Sequence, residues 1–281
     1  MIDLDHLRQW IGRSETRSEL LTPAAVERFN ATFDIKAEAM DGDIAPAMIH
    51  LCLAPSAAPT SALGPDGHPA RGGFLPPVPL PRRMWAGGAF RFQGDIRVGE
   101  TVRRQSSITD VTMKQGRSGA LCFVTVEHLI SSDDRPVLTE RQDIVYRGAD
   151  PAGGATKPPV TAPVPAPHGA HRVTVVPSAA LLFRYSALTF NGHRIHYDAP
   201  YVREVETYPG LIVHGPMQAT MLVQLAVRLR GRRPAQFEFR SLSPLFDDAD
   251  FTLNASDDGE ALKLWTSYAE GPTAMEARAT W

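Results

Sequence analysis

The sequence predicts an α+β chain built from two similar units, each a meander of antiparallel strands packed on a helix. Three observations lead there. A Pro/Ala-rich run over residues 148–170, GADPAGGATKPPVTAPVPAPHGA, lacks hydrophobic periodicity and reads as an extended, partly stiff linker. It divides the 281 residues into segments 1–147 and 171–281, both of ordinary domain size. The order of features then repeats on either side of it, and an apolar helix precedes the strands of the second segment.

In the first segment, Ala89-Phe-Arg-Phe92 leads into Gly-Asp-Ile-Arg-Val-Gly-Glu-Thr101. In the second, Glu238-Phe-Arg-Ser241 leads into Leu-Ser-Pro-Leu-Phe-Asp-Asp-Ala-Asp250. Two β-like runs close each segment: residues 120–130 and 136–146, against 261–270 and 273–281. β-Branched and aromatic residues fill 122–129, and Leu262-Lys-Leu-Trp-Thr-Ser-Tyr268 alternates with a period near two, as a half-buried strand does. Gly116 and Gly119 mark one hairpin turn and Asp257-Asp-Gly259 another. A helix is expected ahead of the strands in each segment. That of the second, residues 216–230, turns Met217, Met221, Leu222, Leu225 and Leu229 to a wide apolar face. Arg228 and Arg230 suit its C-terminal dipole and Gly231 ends it. A sheet wrapped around such a helix is the hotdog arrangement, and two in one chain make a double hotdog.

Composition narrows the function. The formal net charge is -2 and basic residues are scattered, so no nucleic-acid footprint is present. No stretch is long and apolar enough to span a bilayer, and the polar N-terminus does not read as a secretion signal. Cys52 and Cys122, the only cysteines, read as buried small hydrophobes in a reducing compartment. A cytoplasmic enzyme or binding protein is expected.

The chemistry concentrates in Asn191-Gly-His-Arg-Ile-His-Tyr-Asp198, followed by Tyr208-Pro-Gly-Leu-Ile-Val-His-Gly-Pro216. Imidazoles and a carboxylate stand just ahead of a helix N-terminus, where protons can be moved beside a polarised carbonyl. The stretch resembles the Asp-x-Asn-Pro-x-His motif and later His-Gly of MaoC-like, R-specific enoyl-CoA hydratases. On that alignment the family's Asp falls on Asn191, its Asn on His193, its Pro on Arg194 and its His on His196. The resemblance extends to Gly72-Gly-Phe-Leu-Pro-Pro-Val-Pro-Leu-Pro-Arg-Arg-Met-Trp-Ala-Gly-Gly88, similar to the itaconyl-CoA and mesaconyl-C4-CoA (3-methylfumaryl-CoA) hydratases. It implies an N-terminal hotdog related to fatty-acid-synthase dehydratase domains, without a catalytic role, and a MaoC-like C-terminal hotdog carrying the site.

His196 keeps the motif spacing and is the expected acid/base group. Asp198 and His193 are the candidates to replace the missing acid, Asp198 either orienting His196 or capping the segment after it. Asn191 can orient water or hold a carbonyl, and Asn-Gly is also a good turn. His193-x-x-His196-x-Asp198 has no visible further ligand, so no metal is expected. The N–H groups around His214 and Gly215, at the start of a helix, are placed to hold an enolate oxygen. Arg82, Arg83, Arg184, Arg194 and Arg203 could meet CoA phosphates or a substrate carboxylate, Arg194 foremost because it lies inside the segment.

The resemblance implies addition of water to mesaconyl-C4-CoA, or to itaconyl-CoA by way of it, giving citramalyl-CoA. No cofactor is expected beyond the CoA of the substrate. Alternatives are a broad R-specific hydratase or 3-hydroxyacyl-thioester dehydratase, a hotdog thioesterase using Asp198 or Glu204, and a non-catalytic acyl-CoA-binding protein. The expected state is a monomer with an internal pseudo-dimer, or a homodimer.

Overall fold

The computed structural model describes residues 2–116, 119–148 and 164–281. Ten strands form one antiparallel sheet. The first half contributes β1 (Ser14–Leu20), β2 (Arg82–Phe92), β3 (Thr101–Gly116), β4 (Gly119–Ser132) and β5 (Arg135–Arg147). The second contributes β6 (His171–Val175), β7 (Gln236–Ser241), β8 (Phe251–Asp258), β9 (Ala261–Tyr268) and β10 (Thr273–Thr280). Their spatial order is β1-β3-β4-β5-β2-β7-β10-β9-β8-β6. Replacing each of the first five strands by its successor five places on turns the left half of that list into the reverse of the right half. The duplication expected from the order of sequence features is thus written into the sheet, and the fold is a double hotdog.

The halves join at β2 and β7, the two strands that carry the repeated Phe-containing motifs. Phe90 pairs with Phe237 and Gly88 with Phe239. The rings of Phe90 and Phe239 stack at 5.7 Å, and Trp85 meets Phe239 edge-on at 5.2 Å. Gly87 and Gly88 make the close approach possible. A Cβ on Gly88 would lie 2.3 Å from the Arg141 carbonyl oxygen, and one on Gly87 would lie 2.7 Å from that of Phe239.

The helices are α1 (Leu4–Arg8), α2 (Pro23–Thr32), α3 (Ala179–Leu188), α4 (Ala199–Glu204) and α5 (Gly215–Arg230). α5 starts one residue before the expected 216–230 and ends where expected, with Pro216 in its first turn and Gly231 in the left-handed conformation at its end. Its buried residues, Met217 to Ala226, join a core that reaches into both halves. The first half corrects the expectation of a central helix in each unit. Where α5 would have its counterpart, ahead of β2, there are only the short 3-10 turns Ile49–Cys52 and Thr60–Ala62. Pro46, Pro55, Pro59, Pro65 and Pro69 recur too often in this stretch for a longer helix, since each removes an N–H and crowds the preceding turn. The longest helix of that half is α2, packed beside its counterpart α3.

The Pro-rich stretch after Gly73 covers the other face of the first half, where Phe74, Leu75, Val78 and Leu80 pack on Val124 and Tyr146 with their neighbours. Arg71 gathers the carbonyls of Val78, Leu80 and Pro81 at 2.5–2.6 Å, holding a segment whose prolines cannot donate. Most of the linker, residues 149–163, lies outside the described residues. Its end is held on the second half by bonds from Ala166 N–H to the Gly271 carbonyl and from the Trp265 indole to the Pro167 carbonyl. Cys122 is buried and Cys52 half-buried, both as free thiols, and burial raises them to about 11 and about 12. Among the described residues no helix is long and apolar enough to cross a membrane.

Candidate active site

The site forms where the loop between α3 and α4 meets the start of α5. Ser178 caps α3 by accepting the Leu181 N–H. Phe190, at φ 50°, turns the chain sharply after that helix. Asn191 Oδ1 then accepts the N–H of His193 at 3.0 Å, an Asx turn that starts the 3-10 turn Arg194–His196. Asp198 caps α4 by accepting the Tyr201 N–H at 3.1 Å. The ligand-like residues of this segment are therefore also its folding signals.

His196 is buried, and its Nδ1 donates to the Ile212 carbonyl at 2.7 Å. A carbonyl only accepts, so the proton belongs on Nδ1 and Nε2 presents a lone pair. Ile212 also donates its N–H to the Ile195 carbonyl at 2.9 Å, clamping the segment against the approach to α5. Burial lowers His196 to about 3, partly opposed by the bond to Ile212. The imidazole is neutral at neutral pH and able to accept a proton.

His214, the N-cap of α5, stacks on His196 with ring centroids 3.6 Å apart and planes at 17°. Its Nε2 lies 2.8 Å from Ser186 Oγ, while Nδ1 is buried with no hydrogen-bond partner. Burial holds this ring well below the ordinary histidine range. Pro216 has no N–H and the Gln218 N–H bonds the His214 carbonyl, so Gly215 and Met217 carry the first-turn N–H groups without an acceptor inside the helix. A helix start of this kind favours a neighbouring oxygen that gains negative charge. Behind the stack, Gln218 receives a bond from Thr266 Oγ1 at 2.7 Å, and Thr266 Oγ1 accepts the Met275 N–H at 3.1 Å. That chain fixes α5 to the sheet beneath the site.

His193 completes the local group, its ring 5.5 Å from and perpendicular to that of His196. On its other side, 4.0 Å away, lies His68 of the first half. Asp66 accepts the His68 backbone N–H at 3.1 Å on Oδ1 and faces His68 Nδ1 at 3.2 Å with Oδ2. Burial deepens along the rings: the His68 side chain is 20% exposed, His193 and His196 are 8% and 7%, and His214 is 0%. Burial lowers His68 to about 4 against the pull of Asp66. Burial also raises Asp66, but its bonds to His68 dominate and leave it at about 2.

Asp198 does not join this group. Its Oδ2 is 2.8–2.9 Å from the Arg194 guanidinium, and its other oxygen caps α4. The structure thus favours the capping role for Asp198 and gives the orientation of His196 to the Ile212 carbonyl. The reading of His193, His196 and Asp198 as a joint ligand set is not assembled either. Among the described residues the group that could hold a cation is Asp66, His68 and His193, whose ligand atoms lie within 4.8 Å of one another. The Arg83 charge acts on all three of these residues and disfavours a cation there.

The arginines separate by environment. Arg194 is committed to Asp198, to the Pro65 carbonyl at 3.0 Å and to the Tyr201 ring at 4.0 Å. Arg82 bonds Glu206 through side chain and backbone and lies over Tyr208. Arg184 and Arg203 are exposed, with Arg184 donating to the Ala31 carbonyl. Arg83 is half-buried and close enough to act on His68 and His193. Of the arginines named from the sequence, it is the one whose charge bears on His68 and His193, where the sequence had pointed to Arg194.

Asp66 and His68 were missed from sequence. They sit in Gly64-Pro-Asp-Gly-His-Pro69, which reads as a plain turn, more than 120 residues from the segment they meet. The available signal was the gap at Asn191: a site short of its acid invites a search for an Asp/His pair elsewhere.

Comparison with known proteins places the chain in a family. The model of the family "hydroxyacyl-thioester dehydratase type 2" matches residues 48–247, spanning both halves of the site. The chain is 44% identical over 269 residues to the mesaconyl-C(4)-CoA hydratase of Chloroflexus aurantiacus, covering 95% of each protein. It is 24% identical to the mitochondrial hydroxyacyl-thioester dehydratase type 2 of Schizosaccharomyces pombe, covering 88% of this chain and 90% of that one. A MaoC-like dehydratase from Phytophthora capsici shares the fold with a TM-score of 0.70 at 13% identity, covering 99% and 98%. The chain belongs to the type 2 hydroxyacyl-thioester dehydratases.

Proposed function

We propose that this enzyme adds water to mesaconyl-C4-CoA, directly or as the intermediate from itaconyl-CoA, to give citramalyl-CoA. The supporting observation is the neutral His196, with its Nδ1–H held by a carbonyl and its Nε2 lone pair free, beside the N-terminus of α5. The high identity to the hydratase from Chloroflexus favours this substrate over an uncharged acyl chain. His196 removes a proton from water as the oxygen bonds to the carbon β to the thioester. The π pair moves toward the thioester oxygen, which gains negative charge opposite the N–H groups at Gly215. The imidazolium then returns its proton to the α carbon and the carbonyl re-forms. One water is consumed and no net proton is released. The thioester itself acidifies the α position, so the proposed chemistry uses no cofactor beyond the CoA of the substrate.

The free carboxylate of mesaconyl-C4-CoA is attached to the carbon that water attacks. An arginine that holds it must therefore lie beside the imidazoles, and Arg83, whose charge bears on His68 and His193, is the proposed one. The proposed setting is the cytoplasm, in itaconate breakdown, as a monomer whose halves mimic a dimer or as a homodimer. The test follows enoyl-thioester absorbance with mesaconyl-C4-CoA, crotonyl-CoA and a saturated acyl-CoA. Faster loss with the first supports the reading. Equal rates with the first two indicate a broad hydratase, and CoA release from the saturated thioester indicates a thioesterase.

A further inference from the structure

We propose that Ser186 and His214 are positioning residues that act through His196: the Ser186 hydroxyl keeps the His214 ring from taking up a proton, and that neutral ring stabilises the imidazolium that His196 becomes in mid-reaction. This rests on the hydratase reading and deepens it, because it names what meets the positive charge on the base.

The base needs such a partner. His196 Nδ1 donates to the Ile212 carbonyl at 2.7 Å, while Asp198 is taken up by Arg194 and the cap of α4. Among the described residues no carboxylate is hydrogen-bonded to this ring, and Asn191 stands where the resembling motif has its acid. What lies against the ring is the face of His214, with centroids 3.6 Å apart and planes at 17°. A cation on an aromatic face is attracted by the π electrons, most strongly where water is excluded. Both rings are buried, His214 completely. A protonated His214 would reverse the sign, since two like charges at this separation repel. The stack therefore helps only while His214 stays neutral.

Ser186 supplies that condition. Its Oγ lies 2.8 Å from His214 Nε2, and among the described residues it has no other hydrogen bond. Hydroxyls nearby instead bond back to the carbonyl four residues earlier, Thr189 to Tyr185 and Thr220 to Pro216. With a single partner, the Ser186 hydrogen goes to the ring nitrogen, the better acceptor of the two atoms. The ring proton then sits on Nδ1 and Nε2 is occupied, so neither nitrogen has a lone pair left for a proton. The proton taken from water stays on His196 and returns to the α carbon, as above. Ser186 and His214 gain and lose none, and the balance of the reaction is unchanged. His214 is also the N-cap of α5, where the positive end of the helix dipole disfavours a cation. The titratable neighbours add no charge at neutral pH. Tyr185 meets His214 edge-on at 4.9 Å and is raised by burial, while burial lowers His193 and His68.

The test begins with the wild type. Histidine-selective 15N NMR reads the tautomer of His214, its signal being the one lost in His214→Phe. The expected proton is on Nδ1, and a proton on Nε2 would overturn the proposal. Steady-state hydration of mesaconyl-C4-CoA between pH 5 and 8 follows, with melting temperature and circular dichroism as folding checks on each variant. His214→Phe keeps an aromatic face and His214→Leu does not, so kcat of the first should exceed that of the second by about threefold to thirtyfold, with similar KM. Ser186→Ala frees Nε2, and its kcat should fall as pH drops from 8 to 5, where the wild type stays level. His214 then takes up a proton, and a second charge on His196 becomes costly. In the double variant Ser186→Ala/His214→Phe no nitrogen remains at that ring, and the level profile should return. Equal kcat in the two His214 variants would overturn the proposal. So would a level profile in Ser186→Ala, or a fall that persists in the double variant. A wild type that hydrates no enoyl thioester would instead overturn the reaction on which it rests.

Discussion

His196 makes one bond that builds the site and presents one atom that does chemistry, and two substitutions separate them. In His196→Asn the side-chain amide stands near the position of Nδ1, so it can still donate to the Ile212 carbonyl, now met at 2.7 Å. The Nε2 lone pair is gone. Turnover should fall by about 10²–10⁴, the range for a positioned acid/base group. Stability should change little, apart from the loss of the ring stacked on His214 at 3.6 Å. In His196→Ala the carbonyl loses its donor as well. A buried polar group left without a partner costs about 1–3 kcal/mol, and the truncated ring adds a cavity in a site where His196 is 7% exposed. For a chain of this size, each kcal/mol corresponds to roughly 2–4 °C in Tm. His196→Ala should therefore melt several degrees below His196→Asn while the two are equally inactive. The assay pairs differential scanning calorimetry with the absorbance of the enoyl thioester. Near-wild-type turnover in His196→Asn would refute the assignment of Nε2 as the base. Equal melting temperatures would refute the structural role given to the Ile212 bond.

Four further outcomes follow from the same geometry. Arg83→Gln should cost about tenfold to a hundredfold in kcat/KM for mesaconyl-C4-CoA, as expected for a lost charged hydrogen bond of about 1.5–3 kcal/mol, but spare 3-methylcrotonyl-CoA, in which a methyl replaces the carboxylate. An unchanged preference would send the search to another group. Gly88→Ala should destabilise the seam between the halves in urea titrations by about 3 kcal/mol or more, because its Cβ meets the Arg141 carbonyl at 2.3 Å; unchanged unfolding would contradict that seam. Asn191→Asp should keep its turn, since a carboxylate also accepts the His193 N–H, but lose turnover with a substrate carrying its own carboxylate; gain of activity toward mesaconyl-C4-CoA would contradict this. For pH, His196 and His68 lie at about 3 and about 4 when folded, below the ordinary value near 6.5. The unfolded chain then binds more protons between those limits, so stability is fully present above about 6.5 and is lost as pH falls toward 4. Melting temperatures across that window should fall, and a flat profile would contradict the buried neutral imidazoles.

Much of this architecture was legible because strands and helices announce themselves locally. The alternation in 262–268, the turn at Gly259 just ahead of it and the apolar face with Gly231 at its end located β9 and α5 closely. The second site segment was legible for the same reason: His193, His196 and His214 belong to one short stretch of chain, and the structure brings all three together. The absence of a long helix in the first half was also present in the text, as a repeated proline, but the symmetry of the two segments outweighed it. Roles that depend on contact were not legible. Asp198 could orient a histidine or cap a helix, and only the Tyr201 N–H and Arg194 decide between them. Arg194 looked available because its partner Pro65 lies in the other half. Asp66 and His68 could be linked to His193 only by the packing of Gly67 on Gly192, a contact with no local signature.

The most direct measurement is mass spectrometry and NMR of the product formed from mesaconyl-C4-CoA in D2O containing H2¹⁸O. The account predicts citramalyl-CoA with one solvent oxygen on the carbon β to the thioester, one deuterium on the α carbon and the CoA thioester intact. Release of free CoA, or recovery of the enoyl thioester without solvent oxygen, would contradict it.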